Sequence, residues 1–265
     1  MKLSISNIAW EDVHNTDLYK AMRKYGYEGL EIAPTRFFPV DPYDHIEEVK
    51  ERKQTLQEEY GLSISSMQSI WYGRKENIFG SEEERKALIN YTEKAVLFAE
   101  AAGCTNLVFG CPKNRIMKEG DDAGQAISFF RVISDIAQDH GVVIALEANP
   151  PIYGTNFIND TPSAIAMIRE VDHPAFRLNL DLGTMIHNEE DISVLKDNAE
   201  LIHHVHVSEP YLKAIEKRDL HKKMAAFLRD ANYPGYVSIE TGKTVDIKGL
   251  KQTLKYVKKV FGDGE

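Results

Sequence analysis

Six acidic and imidazole side chains in the second half of the chain stand where chemistry would be expected. Glu147 closes the run IALE, Asp181 closes LNLD, His204, His206 and Glu209 fall in HHVHVSE, and Glu240 closes VSIE. Any one of them alone reads as a helix N-cap, a solvated loop acid or a satisfied core histidine. Together they deliver a carboxylate or imidazole at the end of four successive apolar runs. An unpaired carboxylate buried there is costly, and several side by side resist ionising. A divalent cation relieves both problems. Three carboxylates and one imidazole form a mixed oxygen and nitrogen set that suits one Mn²⁺, Co²⁺, Mg²⁺ or Zn²⁺. Such a set also leaves room for substrate oxygens on the metal. Side chains alternate along a strand, so His204 and His206 share a face. His206 lies nearer the end of its run and is the expected ligand, with His204 one layer deeper.

The apolar runs must then end on a common rim, and the rest of the sequence supplies the frame. Short β-branched or apolar runs at 3–9, 29–32, 62–70, 106–109, 142–146, 176–180, 203–207 and 236–239 alternate with charged stretches of helical spacing at 16–25, 43–60, 81–102, 124–140, 161–170, 190–196, 220–231 and 246–261. Glycine follows several of these stretches, as at Gly26, Gly61, Gly103 and Gly141, where a helix C-cap favours it. SEEER from Ser81 is a capping-box pattern, and Thr161 is expected to cap the helix it begins. Strand–helix alternation argues for a parallel sheet, and eight units argue for an α/β fold closed as a single (β/α)8 TIM barrel, one domain over 1–265. An open doubly wound sheet competes, but NIAWED after the first run lacks the glycine-rich phosphate turn of a dinucleotide site.

The chain has 265 residues, 43% hydrophobic and 28% charged, with a net charge of −9. That acidity argues against nucleic acid or an anionic membrane as a partner. Cys104 and Cys111 are too few for a disulfide framework. The opening MKLSISNIAWEDV lacks the long apolar stretch of a signal peptide. A cytoplasmic protein with reduced thiols is expected, with no membrane span. Phe37 and Phe38, read as exposed, suggest that the loop after the second strand could pack against a second copy in a homo-oligomer.

These motifs resemble the xylose isomerase-like TIM barrel superfamily over nearly the whole chain. KLSISNIAW and KYGYEGLEIAPTR are similar to its first strand and its second-strand pattern G-[FY]-x-G-[VLI]-E, here Gly26 to Glu31, and NYPGYVSIE is similar to its last strand. The superfamily includes sugar isomerases, ketose 3-epimerases such as D-tagatose 3-epimerase, inosose dehydratases and the endonuclease IV group. The resemblance implies metal ligands Glu147, Asp181, His206 and Glu240. It also implies that Glu147 and Glu240 act as acid and base on opposite faces of a sugar. The sequence departs from the pattern in three places. Epimerases of this kind carry a histidine three residues after the strand-six aspartate, where this chain has Thr184, with His187 the nearest histidine. The third and fourth strands end in SMQSIW and VFGCPKNR, without the histidines by which the endonucleases hold further metals. The glycine-rich loop after strand seven is replaced by YLKAIEKRD.

Further candidates lie in the loops. Trp10, Trp71 and Tyr72 could stack on a sugar ring or pack within their loops. Gln68 could reach a hydroxyl. Arg36, Lys113 and Arg115 could meet a phosphate or carboxylate on the substrate. Glu31 could bond a hydroxyl or serve a structural role, and Glu209 could contact substrate or orient the metal shell. The expected function is a metal-dependent isomerase or epimerase of a sugar or polyol, working by proton transfer next to a carbonyl through an enediolate. The alternative is a metal-dependent dehydratase of an inosose-like keto-polyol. An endonuclease or a non-catalytic sugar-binding barrel fits the residues less well.

Overall fold

The computed structural model describes residues 1–243 and 245–262. Eight parallel strands close into a barrel in chain order: β1 (Lys2–Ser6), β2 (Gly29–Ile32), β3 (Ser63–Met67), β4 (Asn106–Phe109), β5 (Val143–Glu147), β6 (Phe176–Asp181), β7 (Ile202–Val207) and β8 (Tyr236–Ile239). β1 pairs with β8 to complete the circle. Helices lie between consecutive strands, which makes this the expected (β/α)8 barrel. Parallel strands need long crossovers, and helices provide them while covering the outer face.

Local chemistry sets most helix boundaries. Ser81 caps Glu82–Ala102 with a full capping box involving Glu84, and Gly103 ends that helix in the left-handed region at φ 67°. The helix Thr161–Val171 is capped by Asp160, not by Thr161, because the Asp160 carboxylate accepts from the Ser163 N–H. The stretch expected as one helix over 43–60 divides. Asp41 adopts a left-handed conformation before a separate turn at Pro42–Asp44, and the α-helix spans Ile46–Thr55 before a wider π turn at Leu56–Tyr60. β1 is shorter than its apolar run because the chain winds into a 3₁₀ turn at Asn7–Ala9. A six-residue helix, Leu182–His187, follows β6 directly and was not anticipated, being too short to show a period. The piece expected at 190–196 is a 3₁₀ turn, Ile192–Leu195.

The strands separate two unlike layers. Outside, aromatic rings interlock: Phe130 packs edge-on to Phe109 and stacks on Phe176 at 4.8 Å. Phe37 and Phe38, expected to be exposed, are both buried. Phe38 stacks on His45 at 4.4 Å, and the Arg52 guanidinium lies over both rings. The barrel interior, by contrast, holds many polar side chains that bond one another. Ser4 and Ser65 hydroxyls meet at 2.6 Å, and Asn106 donates to the Ser66 hydroxyl at 2.9 Å.

Gly29 opens β2, and the second glycine of the G-x-x-G pattern has a steric reason to be there. A Cβ at this position would lie 2.6 Å from the Tyr236 ring and 2.7 Å from Ser65 Cβ. Gly29→Ala is therefore expected to destabilise the fold by about 2 kcal/mol through overpacking, read from urea unfolding. An unchanged midpoint would mean that the base of the barrel has slack.

Candidate metal centre

The C-terminal ends of β5 to β8 carry Glu147, Asp181, His206 and Glu240. His206 Nδ1 lies 3.2 Å from Glu147 Oε2, 3.3 Å from Glu240 Oε2 and 4.0 Å from Asp181 Oδ2. Ligand atoms of Glu147, Asp181 and His206 all lie within 4.8 Å of one another. The four side chains singled out by the sequence are thus brought together at one point.

The orientation of His206 follows from the residues beneath it. Glu31 is fully buried. Its Oε2 lies 3.0 Å from His206 Nε2 and 2.8 Å from His204 Nε2. Burial alone would raise the Glu31 carboxyl. The His206 charge and the bonds from both imidazoles overcome that and hold it well below the usual carboxylate range. An ionised carboxylate only accepts, so His206 must donate from Nε2 and turn Nδ1 toward the carboxylates. His204 takes the deeper, structural place expected of it. Glu31 is not free for a sugar hydroxyl, because its other oxygen accepts from Gln68 Nε2 at 2.9 Å. Register shifts fall beside Glu31 on β2 and beside Asn179 on β6, and such irregularities re-aim side chains at barrel rims.

Three residues that sequence reasoning did not select fix the carboxylates. Asn149 donates to Glu147 Oε1 at 2.7 Å, Asn179 donates to Glu147 Oε2 at 2.8 Å, and the Ser208 hydroxyl donates to Asp181 Oδ2. Each lies two residues from a site residue, so the strand period could have found them. Behind Asn149 lies Arg115, fully buried and not at the rim as expected. Its Nη2 donates to Asn149 Oδ1 at 2.8 Å and to the Glu147 carbonyl at 2.9 Å. Burial pushes its guanidinium down to about 10, so it stays charged at neutral pH.

The remaining loop candidates divide. Trp10 is buried, edge-on to Tyr19, with its Nε1 donating to Asn15 Oδ1 at 2.7 Å, and it does not line the cavity over the site. Arg36 turns away to the Trp10 carbonyl at 2.6 Å and to Asp12 at 2.8 Å. Glu209 is buried in a two-bond clamp with Arg218, at 2.8 and 2.6 Å, well placed for structure and not for substrate. Trp71 lines the cavity but is only 2% exposed, with Nε1 donating to Thr92 and its ring edge-on to Phe109. Gln68, Tyr72 and Lys113 also line the cavity. Thr184 is buried, its hydroxyl donating to the Ala148 carbonyl at 2.9 Å, and His187 is exposed, so neither supplies the histidine contact of the epimerase pattern.

The cavity encloses about 610 Å³ with Glu147, Asp181 and Glu240 among its lining, a size ordinary for small-molecule sites. Its electrostatics fit a bound cation. Burial, with Glu147 and Glu240 close by, pushes the Asp181 carboxyl up to about 7. Burial likewise raises Glu240. Burial would lower His206, but Glu31 and Glu240 draw a proton onto it and hold it well above its usual range. The carboxylates carry more negative charge than the side chains around them neutralise, and a divalent ion is the natural counterweight. The second close group, Glu31 with His204 and His206, is fully buried and places two imidazoles against one carboxylate, His204 at ion-pair distance and His206 by a hydrogen bond.

The model for the xylose isomerase-like TIM barrel family matches residues 19–260, and the chain belongs to that family. No curated protein matches the sequence. Among solved structures, 3-keto-D-glucoside 4-epimerase YcjR from E. coli is similar at TM-score 0.78 and 22% identity, over 98% of this chain and 99% of that one. D-psicose 3-epimerase from Clostridium cellulolyticum H10 is similar at TM-score 0.79 and 16% identity, over 99% and 100%. The probable 3-DHS dehydratase AsbF from Bacillus anthracis is similar at TM-score 0.69 and 18% identity, over 100% of both chains. At these identities the likeness establishes the fold. No helix among the described residues is long and apolar enough to cross a membrane.

The site predicts a signed pH effect. Asp181 holds its proton in the folded chain up to about 7, against 3.8 for an ordinary aspartate. The stability this gives is complete below the lower value and is lost as pH rises through the higher one. In chelator, Asp181→Asn, which cannot ionise, is expected to melt above wild type at about pH 8 and by a smaller margin near pH 5, the gap closing only below the ordinary aspartate value of 3.8. Added Mn²⁺ is expected to reverse the order at the higher pH. Parallel melting curves at both pH values would remove the electrostatic strain from the account.

Proposed function

We propose that the protein is a divalent-metal-dependent isomerase or epimerase of a sugar or polyol, with Glu147, Asp181, His206 and Glu240 as metal ligands. The observation that carries this reading is the convergence of two buried carboxylates, Glu147 and Glu240, and the half-buried Asp181 on one oriented imidazole nitrogen in the lining of an open cavity. When bound, the metal supplies Lewis-acid polarisation of a substrate carbonyl. The chain's own residues do the rest. Glu147 and Glu240 come from strands on either side of Asp181 and His206, and in this reading they act as base and acid on opposite faces of a substrate. One takes the proton next to the carbonyl and the other returns a proton to the opposite face or the neighbouring carbon. Asn149 and Asn179, each donating to one Glu147 oxygen, hold that carboxylate in place. Trp71 and Val108 give the cavity apolar wall that limits water.

A dehydratase using the same residues is the second reading. It is favoured by Thr184, which leaves the epimerase-type histidine contact without a counterpart. Among the described residues no histidine of the β3 or β4 loops lines the cavity, which leaves the multi-metal endonuclease reading without ligands. Assignment to the cytoplasm, a single domain over 1–265 and action on a free small molecule remain part of this proposal.

Elemental analysis of wild type and Glu240→Gln tests the reading. One divalent ion per chain is expected in wild type, lost or weakened in the variant. With ketoses and inososes as substrates, turnover is expected to fall roughly 100-fold or more in Glu240→Gln. Product analysis separates an epimer or isomer from a dehydrated compound. Wild-type protein that takes up no metal after incubation with Mn²⁺ or Co²⁺ would overturn the proposal.

A further inference from the structure

The cavity is electrically divided. Its carboxylates all come from β5 to β8, whereas its lining from the β3 and β4 loops includes Arg74, Lys75 and Lys113. This gathers three cations on one wall of a protein whose net charge is −9. Arg74 is already engaged, paired with Glu76 and lying 4.9 Å from the centre of the Tyr91 ring. Lys75 and Lys113 are both exposed, and neither ammonium has an ion-pair or hydrogen-bond partner among the described residues.

The backbone that carries these cations is held firmly. Asn114, next to Lys113, is buried and donates to the carbonyls of Arg74 at 3.2 Å and Glu76 at 2.8 Å, while its own carbonyl accepts from Ile78 at 2.9 Å. One side chain thus ties the two cationic loops together. Ser69 and Cys111, one at the foot of each loop, sit in the left-handed region at φ 55° and 42°. Non-glycine residues keep such conformations only where the surroundings impose them. Arg115, on the same β4 loop, anchors it to β5 through the Glu147 carbonyl. The lysines are presented by a braced frame, and braced, unpaired cations facing a cavity suit an anion.

We propose that the substrate carries an anionic group, a phosphate or a carboxylate, at the end remote from its reacting carbonyl, and that Lys75 and Lys113 receive it. This rests on the reading of the cavity as a sugar site. A sugar spanning the cavity places its carbonyl over the carboxylate floor of β5 to β8 and its anion against the β3 and β4 loops. That arrangement fixes which end of the molecule reacts, and it discriminates against neutral sugars.

Calorimetric titration of the Mn²⁺-treated full-length protein with inorganic phosphate, in wild type and in Lys75→Ala/Lys113→Ala, tests the assignment. Wild type is expected to bind phosphate about tenfold more tightly than the double variant, with the difference shrinking at high salt and metal content equal in both. D-fructose 6-phosphate and D-gluconate, each against neutral D-fructose, then distinguish phosphate from carboxylate as the favoured group. Equal phosphate affinity in the two proteins overturns the proposal, as does neutral D-fructose binding as tightly as both anionic sugars. Because neither lysine belongs to the carboxylate cluster, the comparison holds whether or not metal uptake fails, and the two readings fall separately.

Discussion

A carboxylate buried without solvent has to be compensated, and the compensation of Glu31 organises this site. It sits on β2, across the barrel from the acids that face the cavity, and it is matched by two imidazoles on β7. Because Glu31 can only accept, it requires a proton on His206 Nε2 and turns Nδ1 toward the cavity. Because its second oxygen is bonded by Gln68, which also reaches Ser6, strands β1, β2, β3 and β7 are drawn into one polar network. The aromatic outer layer could close a barrel of many sequences. The inner layer accepts few, since each polar atom there needs its partner.

Above that network the site accumulates like charges, and the chain opposes their repulsion in stages. Asn149, Asn179 and Ser208 each offer a donor to a carboxylate oxygen. Arg115 adds a full positive charge one bond behind Asn149, shielded from solvent and therefore screened weakly. Gly110 and Gly183 leave space for this crowding. A Cβ at Gly110 would come within 3.3 Å of Glu147 Oε1, and one at Gly183 within 2.7 Å of the Ser208 hydroxyl. Even so, Asp181 remains displaced to about 7, so the side chains alone do not balance the cluster.

The parts of this arrangement that follow a period could be read from the sequence. Strand count, closure and the four rim residues depend on alternation along β5 to β8, and His206 is preferred to His204, on the same face, because it lies nearer the rim. Asn149, Asn179 and Ser208 obey the same parity and were within reach. Loop residues obey no period. Arg115 follows a left-handed residue and a proline turn, which carry it under the β5 strand end instead of out to the rim. Arg36 and Trp10 fold onto each other's segment, and Glu209 finds Arg218 nine residues on. Phe37 and Phe38 looked like an exposed pair because their covering partners, Phe98 and Arg52, lie far away in sequence or on the next helix. The helix at Leu182–His187 escaped because its cap is Asp181 itself, a residue already assigned to chemistry.

That double use of Asp181 links the geometry of the carboxylate cluster to the fold. Its Oδ1 accepts from the Thr184 N–H and caps the short helix, while Oδ2 faces Ser208 and His206. The helix start therefore lends its positive end to a carboxylate that is otherwise hard to ionise. Thr184 is committed to this junction by its bond to the Ala148 carbonyl, directly after Glu147. A histidine placed there would have to abandon that bond to reach a ligand. Thr184 thus supplies a brace between β5 and β6. In this chain the brace is present, and recognition of the substrate's far end falls to the loops after β3 and β4, the wall that carries no part of the carboxylate cluster.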